Sequence, residues 1–372
     1  MTASRGTLGV IGAGTMGAGI AQVALEAGWD VRLHDPYPGA TERATARIAE
    51  GLSRRGGKRN LTGSDAAAWL DAHLARLAST PDIASLRDVE LVIEAIVEDL
   101  DAKRFVLRTL DDLAPANTIL ATNTSALSVG AIAEAAAAHP ERVLGLHFFN
   151  PAPVLRLVEV VAGARTDTAS LDRATGIVTA WGNTPVRSTD SPGFIVNRVN
   201  RPFTIEPLRM LEAGDASVAE IDAAVRGAGF PIGPFELMDL IGLDVNLAAA
   251  TGVWEGLGRP EHLRPSPIQA WLVEHGRLGR KTGVGFYRHT AGHDPTPEPL
   301  PHDLVPHVPR QAALEAAQIV ERIRRSISDE AVRARDAGVA TEDDIDTAMR
   351  LGAAHPEGPF AWLRRHDPTI GL

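Results

Sequence analysis

His147 and Glu159 form a candidate catalytic pair, because both ionisable side chains belong to apolar stretches typical of β-strands. His147 follows the predicted strand 143–146, and Glu159 lies inside the stretch Leu-Val-Glu-Val-Val. A carboxylate in such a strand is costly unless it is paired, and pairing with His147 would also fix the tautomer of the imidazole. Beside a hydride acceptor, this pair can remove a hydroxyl proton from an alcohol. A buried structural histidine and a glutamate exposed at a sheet edge also fit the spacing.

Two further polar residues lie where they could reach a substrate. Ser125 follows the predicted strand 119–121, so its hydroxyl can point into the same crevice as His147. A helix N-cap is an equally compatible role for this serine. Asn197 ends the segment Ser-Pro-Gly-Phe-Ile-Val-Asn and is either a core amide or a substrate contact.

Gly12, Gly14 and Gly17 form a G-x-G-x-x-G motif between a predicted strand and a predicted helix. In this setting the first glycine permits a tight turn, the second lets a pyrophosphate approach the backbone, and the third lets the helix lie close to the sheet. Asp35 closes the next strand and can accept hydrogen bonds from both ribose hydroxyls. A 2′-phosphate would meet its carboxylate, so the motif predicts NAD in preference to NADP.

The elements that must hold these residues alternate between strand and helix. Predicted strands at 7–11, 31–34, 91–95, 119–121 and 143–146 are separated by helical stretches. This order predicts an α/β domain of the Rossmann-like, doubly wound type with a parallel sheet over residues 1–188. Strands are not predicted beyond about residue 190.

All-α domains are predicted to follow. Residues 189–290 form one helical domain, residues 291–310 contain six prolines and form a linker, and residues 311–372 form a second helical domain. The second helical domain is predicted to be a degenerate copy of the first, because glycine punctuation matches. The matched residues are Gly214 with Gly338, Ile221-Asp222 with Ile345-Asp346, and, after one inserted residue, Gly233-Pro234-Phe235 with Gly358-Pro359-Phe360. In this alignment Asn197 falls against Glu321.

Composition excludes several classes of function. The chain has a formal net charge of -10 and no block of like charge dominates, which argues against nucleic acid as a partner. It contains no cysteine, which excludes disulfides, thiolate nucleophiles and cysteine-ligated zinc, and we expect no metal. Neither a signal peptide nor a membrane span is recognisable, so a cytoplasmic protein without a membrane partner is expected.

Lysine is rare in this chain. Three of the 37 basic residues are lysines, and the other 34 are arginines. Because arginine stands at most basic positions, we expect Lys58, Lys103 and Lys281 to occupy sites that require a compact ammonium group. Alternatively, a chain with this excess of arginine over lysine could retain three lysines by chance.

Together the motifs resemble the L-3-hydroxyacyl-CoA dehydrogenase family, the NAD-linked oxidoreductases of fatty-acid β-oxidation. The resemblance covers about residues 7–290 and is carried by residues 9–22, 94–103, 121–127, 146–161, 191–198 and 279–287. It implies NAD-dependent oxidation of L-3-hydroxyacyl-CoA to 3-oxoacyl-CoA. A sugar-acid dehydrogenase of the gulonate type and a non-catalytic NAD-binding protein stay as alternatives.

The resemblance also implies roles for individual residues. His147 is the general base paired with Glu159, Ser125 binds the reacting oxygen near the nicotinamide, and Asn197 holds the thioester side of the substrate. Further NAD contacts are implied at Asp35, Glu98, Lys103, Asn150 and Lys281. A contact with the coenzyme A phosphates is implied at Lys58.

Two departures from the family pattern lead to expectations about partners. Simple members end soon after the Gly-Phe-Tyr motif at residues 285–287, whereas this chain adds the second helical copy. Because single-copy relatives dimerise through this domain, the added copy predicts a monomer that contains a pseudo-dimer, with a homodimer as the alternative. Multifunctional members carry an enoyl-CoA hydratase domain, for which this sequence has no room, so a separate hydratase and thiolase are expected.

Overall fold

The computed structural model describes residues 5–301, 304–305 and 314–366. The chain divides into two compact units, residues 1–191 and 192–372. Part of the predicted linker, the first residues of the predicted second copy and its last six residues lie outside the described residues. The predicted bounds 1–188, 189–290 and 311–372 therefore stay predictions.

The first unit is built on an eight-stranded sheet with the order β3-β2-β1-β4-β5-β6-β7-β8. Its strands are β1 (Thr7–Ile11), β2 (Asp30–His34), β3 (Leu77–Thr80), β4 (Leu91–Glu94), β5 (Ile119–Thr122), β6 (Val143–Phe148), β7 (Leu157–Ala162) and β8 (Thr184–Thr189). Every residue of β4, β5 and β6 is buried, as expected for central strands that are covered on both faces.

The predicted parallel sheet needs one correction. Strands β1 to β6 are parallel, but β7 pairs antiparallel with β6, and β8 runs parallel to β7. The connection between Phe148 and Leu157 is too short for a crossover helix, which a parallel pair of strands requires. The sheet therefore reverses direction at β7, the strand that carries Glu159.

The described residues of the first unit form six α-helices: α1 (Thr15–Glu26), α2 (Ala40–Lys58), α3 (Gly63–Leu74), α4 (Leu100–Leu113), α5 (Val129–Ala133) and α6 (Thr168–Ala180). The side chains of Asp99, Ser128 and Asp167 cap the amino ends of α4, α5 and α6. Helix α2 continues through Gly56 and Gly57 to Lys58. A Cβ at Gly56 would lie 3.3 Å from the Trp69 ring, so this glycine permits close helix contact.

The described residues of the second unit form nine helices and one two-stranded ribbon. The helices are α7 (Val196–Val199), α8 (Pro202–Glu212), α9 (Val218–Gly227), α10 (Pro234–Ile241), α11 (Leu243–Gly256), α12 (Pro267–Glu274), α13 (Ala316–Asp336), α14 (Glu342–Gly352) and α15 (Pro359–His366). The ribbon pairs β9 (Tyr287–Arg288) with β10 (Thr296–Pro297), where the sequence predicted no strand. These strands are two residues long, so they show no recognisable periodicity.

The repeat seen in the sequence recurs in the hydrogen bonds of the second unit. Asp222 on α9 accepts bonds from the amides of Phe235 and Glu236 at the start of α10. Asp346 on α14 accepts bonds from the amides of Phe360 and Ala361 at the start of α15. The two aspartates that the sequence alignment matches thus cap the two helices that it matches.

The two segments predicted to be copies contact each other reciprocally. Aligning Gly214 with Gly338 matches Arg198 with Arg322 and Glu206 with Glu330. Arg198 Nε lies 2.8 Å from Glu330 Oε1, and Arg322 Nε lies 2.5 Å from Glu206 Oε1. Such exchange of equivalent contacts is the signature of an isologous, two-fold interface. Within this unit, α13 packs against α7, α8 and α9, while α14 packs against α7.

Among the helices described, none is by itself long and apolar enough to cross a membrane. Helices α10 and α11 together are long and apolar enough to cross a membrane, but the pair is bent by 103°.

Candidate active site

The site begins with two strands that place a histidine opposite a glutamate. His147 on β6 is the direct register partner of Glu159 on β7. The Nδ1 atom of His147 lies 2.5 Å from Glu159 Oε2, so the predicted contact between the two side chains is present. The Glu159 side chain is fully buried and that of His147 nearly so. Because the carboxylate accepts the Nδ1 proton, Nε2 is the nitrogen that can take a proton from a substrate.

The end of β5 contributes a second group of polar residues. The Oδ1 atom of Asn123 accepts a 2.8 Å hydrogen bond from the Phe148 amide and so ties the end of β5 to the strand that carries His147. Thr124 Oγ1 donates to Glu98 Oε1 over 2.6 Å. The amides of Ser125 and Ala126 donate to the same oxygen over 2.9 Å each. Glu98 therefore fixes the loop that presents Ser125.

These contacts also determine the charge of Glu98. Burial acts to raise its pKa, but the hydrogen bond from Thr124, the charge of Lys103 and the amides of Ser125 and Ala126 outweigh burial, so the pKa is lowered. Glu98 is therefore ionised near neutral pH. Its anionic oxygen holds the loop by charge-assisted hydrogen bonds.

Lys103 lies beneath this loop and does not reach the surface. Its side chain has no exposed area, and its Nζ lies 2.8 Å from Glu94 Oε1 and 3.3 Å from Glu98 Oε2. Glu94 also accepts a 2.8 Å bond from Thr122. In the first unit Lys103 thus contacts carboxylates, whereas the family resemblance implied an NAD contact. Through Glu98 it supports the residues that would face the cofactor.

The glycine-rich loop has the shape that a dinucleotide requires. Gly12 has a φ of +99°, and a Cβ there would lie 2.6 Å from the Ala95 carbonyl oxygen. A Cβ at Gly17 would collide with the Gly12 carbonyl oxygen, whereas a Cβ at Gly14 would have no neighbour within 4 Å. The helix α1 starts at this open glycine without a side-chain cap, which leaves its amino end for a phosphate.

Asp35 lies beside this loop. Its Oδ2 accepts a 2.8 Å bond from the Ala13 amide, and its Oδ1 accepts a 2.9 Å bond from the Tyr37 amide. Both bonds orient the carboxylate at the end of β2, where a ribose would bind. The loop and the aspartate together fit NAD.

The other predicted site residues are two exposed residues of the first unit and two residues of the second unit. Asn150 is exposed in the turn after β6, and Lys58 is exposed at the end of α2. Asn197 lies on α7 of the second unit. In the same unit Lys281 pairs with the exposed Asp244 and holds the pKa of that carboxyl below its usual value.

Sequence reasoning did not assign Asn123 or Thr124 a role, although both positions belong to the motif that contains Ser125. Their positions at the carboxyl end of a buried strand were the available signal. A polar side chain at such an edge has neighbouring strand ends within reach.

Comparisons with known proteins identify one enzyme family. The family model described as the NAD-binding domain of 3-hydroxyacyl-CoA dehydrogenase matches residues 7–191, and the model of the C-terminal domain of that family matches residues 193–289 and 319–371. The 3-hydroxyadipyl-CoA dehydrogenase of Escherichia coli K12 is 36% identical, with 96% of this chain and 90% of that protein covered. The human mitochondrial hydroxyacyl-coenzyme A dehydrogenase is 41% identical over 75% of this chain and 90% of its own length.

A solved structure shows the likeness in three dimensions over nearly the whole chain. The crystal structure of 3-hydroxybutyryl-CoA dehydrogenase from Escherichia coli K12 matches with a TM-score of 0.86 at 36% identity. The match covers 97% of this chain and 91% of that chain. The resemblance and the fold class predicted from the sequence are thereby confirmed. The chain belongs to the 3-hydroxyacyl-CoA dehydrogenase family and is an NAD-dependent oxidoreductase that acts on a CH–OH group.

Proposed function

We propose that the protein oxidises the 3-hydroxyl group of L-3-hydroxyacyl-CoA to the 3-oxoacyl-CoA, with His147 as the general base. The observation that carries this proposal is the buried hydrogen bond between His147 Nδ1 and Glu159. It lies near the carboxyl end of β6, and the glycine-rich loop follows the carboxyl end of β1 in the same sheet. Bound NAD supplies the acceptor for the hydride that leaves C3. Gly12, Gly14 and Gly17 would hold its pyrophosphate, and Asp35 its ribose.

A side chain of the protein accepts the hydroxyl proton. As C3 loses its hydride and the C–O bond becomes a carbonyl, Nε2 of His147 takes the hydroxyl proton. Glu159 then stabilises the imidazolium through Nδ1. Ser125, held by Glu98, is assigned to the reacting oxygen.

Further contacts with cofactor and substrate are assigned by family resemblance. Glu98, Asn150 and Lys281 are assigned to NAD, with Lys103 acting through Glu98. Asn197 is assigned to acyl-CoA binding and Lys58 to the coenzyme A phosphates.

The reaction requires other enzymes that catalyse the preceding and the following step. An enzyme that hydrates an enoyl-CoA would supply the substrate, and one that cleaves the 3-oxoacyl-CoA would consume the product. We assign both steps to separate proteins.

We also infer that the protein is a monomer in which the second helical copy replaces a partner subunit. The reciprocal pairs Arg198–Glu330 and Arg322–Glu206 support this inference, because a two-fold interface satisfied inside one chain leaves that face covered. A homodimer through another face is the alternative.

The test is NADH formation with L-3-hydroxybutyryl-CoA, 3-hydroxyadipyl-CoA and the corresponding free acids, compared with gulonate. We expect turnover of the thioesters and less than about one hundredth of that efficiency with the free acids. Preference for gulonate would assign the chain to the sugar-acid enzymes, and NAD binding without turnover of any substrate would make it a non-catalytic binder.

A further inference from the structure

The helix that carries Asn197 cannot hold its own conformation. Helix α7 is four residues long, shorter than any helix that is stable in isolation. It follows Gly193 and Phe194, whose φ angles are 78° and 47°. A positive φ is unfavourable for a phenylalanine and persists only where the surroundings enforce it. The orientation of Asn197 therefore depends on contacts from other elements.

Two arginines that follow Asn197 in the sequence supply such contacts. The Nε of Arg201 donates to the Asn197 carbonyl over 3.2 Å. The Nε of Arg198, the residue after Asn197, donates to Glu330 Oε1 over 2.8 Å. Glu330 lies on α13, in the second helical copy, so the added copy reaches the helix that carries the substrate residue.

The Glu330 carboxylate is itself held in one orientation. Its side chain is 1% exposed, and its other oxygen, Oε2, lies 2.7 Å from His262 Nε2 and 3.6 Å from Arg333. A buried carboxylate with both oxygens engaged has little freedom to turn. The arginine that it binds is fixed to the same degree.

We propose that Glu330 is a positioning residue for substrate binding, which fixes α7 through Arg198 and thereby orients Asn197 toward the acyl-CoA. This inference rests on the substrate role proposed for Asn197. It gives the second helical copy a part in substrate affinity beyond covering an apolar face.

The fold contains its own control. The reciprocal pair, Arg322 with Glu206, joins the same two copies with the same chemistry. The residue before Arg322 is Glu321, which the alignment places where the first copy has Asn197. Loss of either pair weakens the contact between the copies. Only loss of the Arg198–Glu330 pair also releases Asn197.

The experiment compares two double variants of the full chain, each of which removes both charges of one pair so that none is left buried alone. Arg198→Met/Glu330→Gln is expected to raise KM for L-3-hydroxybutyryl-CoA by about tenfold to a hundredfold with an unchanged KM for NAD. Arg322→Met/Glu206→Gln is expected to keep both constants within about twofold of the parent. Glu330→Asp, which keeps the charge but shortens the side chain, should show the same KM effect in milder form.

Asn197→Ala is measured alone and combined with Arg198→Met/Glu330→Gln. If Glu330 acts through Asn197, the combination binds acyl-CoA no worse than Asn197→Ala alone. Multiplying losses, or equal kinetics in the two double variants, would overturn the positioning role. Parent-like kinetics of Asn197→Ala would instead refute the proposed role of Asn197 and the inference with it.

Discussion

The bond between His147 and Glu159 shows how one buried carboxylate determines the chemistry of a histidine. Because Nδ1 donates to Glu159, the imidazole has one orientation and one tautomer. The register of β6 and β7 places the two side chains opposite each other, so the backbone and not a loop determines their distance. A base placed in this way needs little rearrangement before it accepts a proton.

Asp35 should determine the choice of cofactor. Its carboxylate, oriented by the amides of Ala13 and Tyr37, would accept bonds from ribose hydroxyls and repel a 2′-phosphate. We expect Asp35→Ser to raise KM for NAD by about tenfold. The ratio of kcat/KM with NAD to kcat/KM with NADP should become smaller. Steady-state kinetics with both cofactors measure this change. Equal efficiency of the parent with NAD and NADP would refute the assignment.

Lys103 should not tolerate replacement by arginine. Its ammonium is buried between Glu94 and Glu98, and a guanidinium is too wide for that space. We expect Lys103→Arg to raise KM for NAD severalfold and to destabilise the fold by about 1–3 kcal/mol, as overpacking does. The control is Lys58→Arg, because Lys58 is exposed. This variant should have the same unfolding temperature as the parent protein. Equal unfolding and equal KM in both variants would contradict the argument.

At the scale of elements, some features were predictable and others were not. The alternation of buried strands and helices predicted the doubly wound unit, because a strand covered on both faces is apolar throughout. The antiparallel direction of β7 follows from the short connection after Phe148, which has no room for a crossover helix. Strand β3 was missed because its residues are half-exposed and lie at the sheet edge.

The site was predictable in the same uneven way. The motif glycines could be recognised from their spacing between a strand and a helix. The pair His147–Glu159 could be predicted because a carboxylate inside an apolar strand needs a partner. The burial of Lys103 does not, because it depends on where Glu94 and Glu98 lie after the strand and the loop have folded. Contacts between distant segments are set by packing, which no local spacing reveals.

The contact between the helical copies should weaken in acid. His355 is buried against Phe203 and Phe230, and its Nε2 lies 2.8 Å from Asn200 Oδ1. Burial, together with the charge of Arg324, lowers the pKa of His355 from 6.5 to about 3. The folded state therefore resists protonation, so this contribution to stability is complete above about pH 6.5 and is lost as the pH falls toward 3.

We expect the free energy of unfolding to fall by roughly 2 kcal/mol between about pH 7.5 and pH 5 from this residue alone. His355→Phe, which installs the residue found at the matching position Phe230, should flatten that slope. Replacement of the exposed His293 by phenylalanine should leave it unchanged. Urea unfolding at several pH values measures the slopes, and the prediction fails if His355→Phe keeps the parent slope.

At the scale of the molecule, the second copy covers a face that would otherwise be exposed. Ile319, Ile323 and Ile327 on α13 are buried, and Phe203 and Phe230 lie against His355. Removal of residues 291–372 should expose these aromatic rings and cause dimerisation or aggregation. Analytical ultracentrifugation compares the truncated and full-length chains. A truncated protein that stays monomeric would count against the internal pseudo-dimer.

The proton transfer to His147 is tested most directly by single-turnover formation of NADH from L-3-hydroxybutyryl-CoA with saturating NAD. We expect His147→Ala to slow this step by about 10²–10⁴-fold, the usual span for a general base, while Kd for NAD stays within about twofold. Glu159→Gln should also slow it, because an amide that donates to Nδ1 imposes the wrong tautomer. A single-turnover rate for His147→Ala equal to that of the parent would contradict the assignment of His147 as the base.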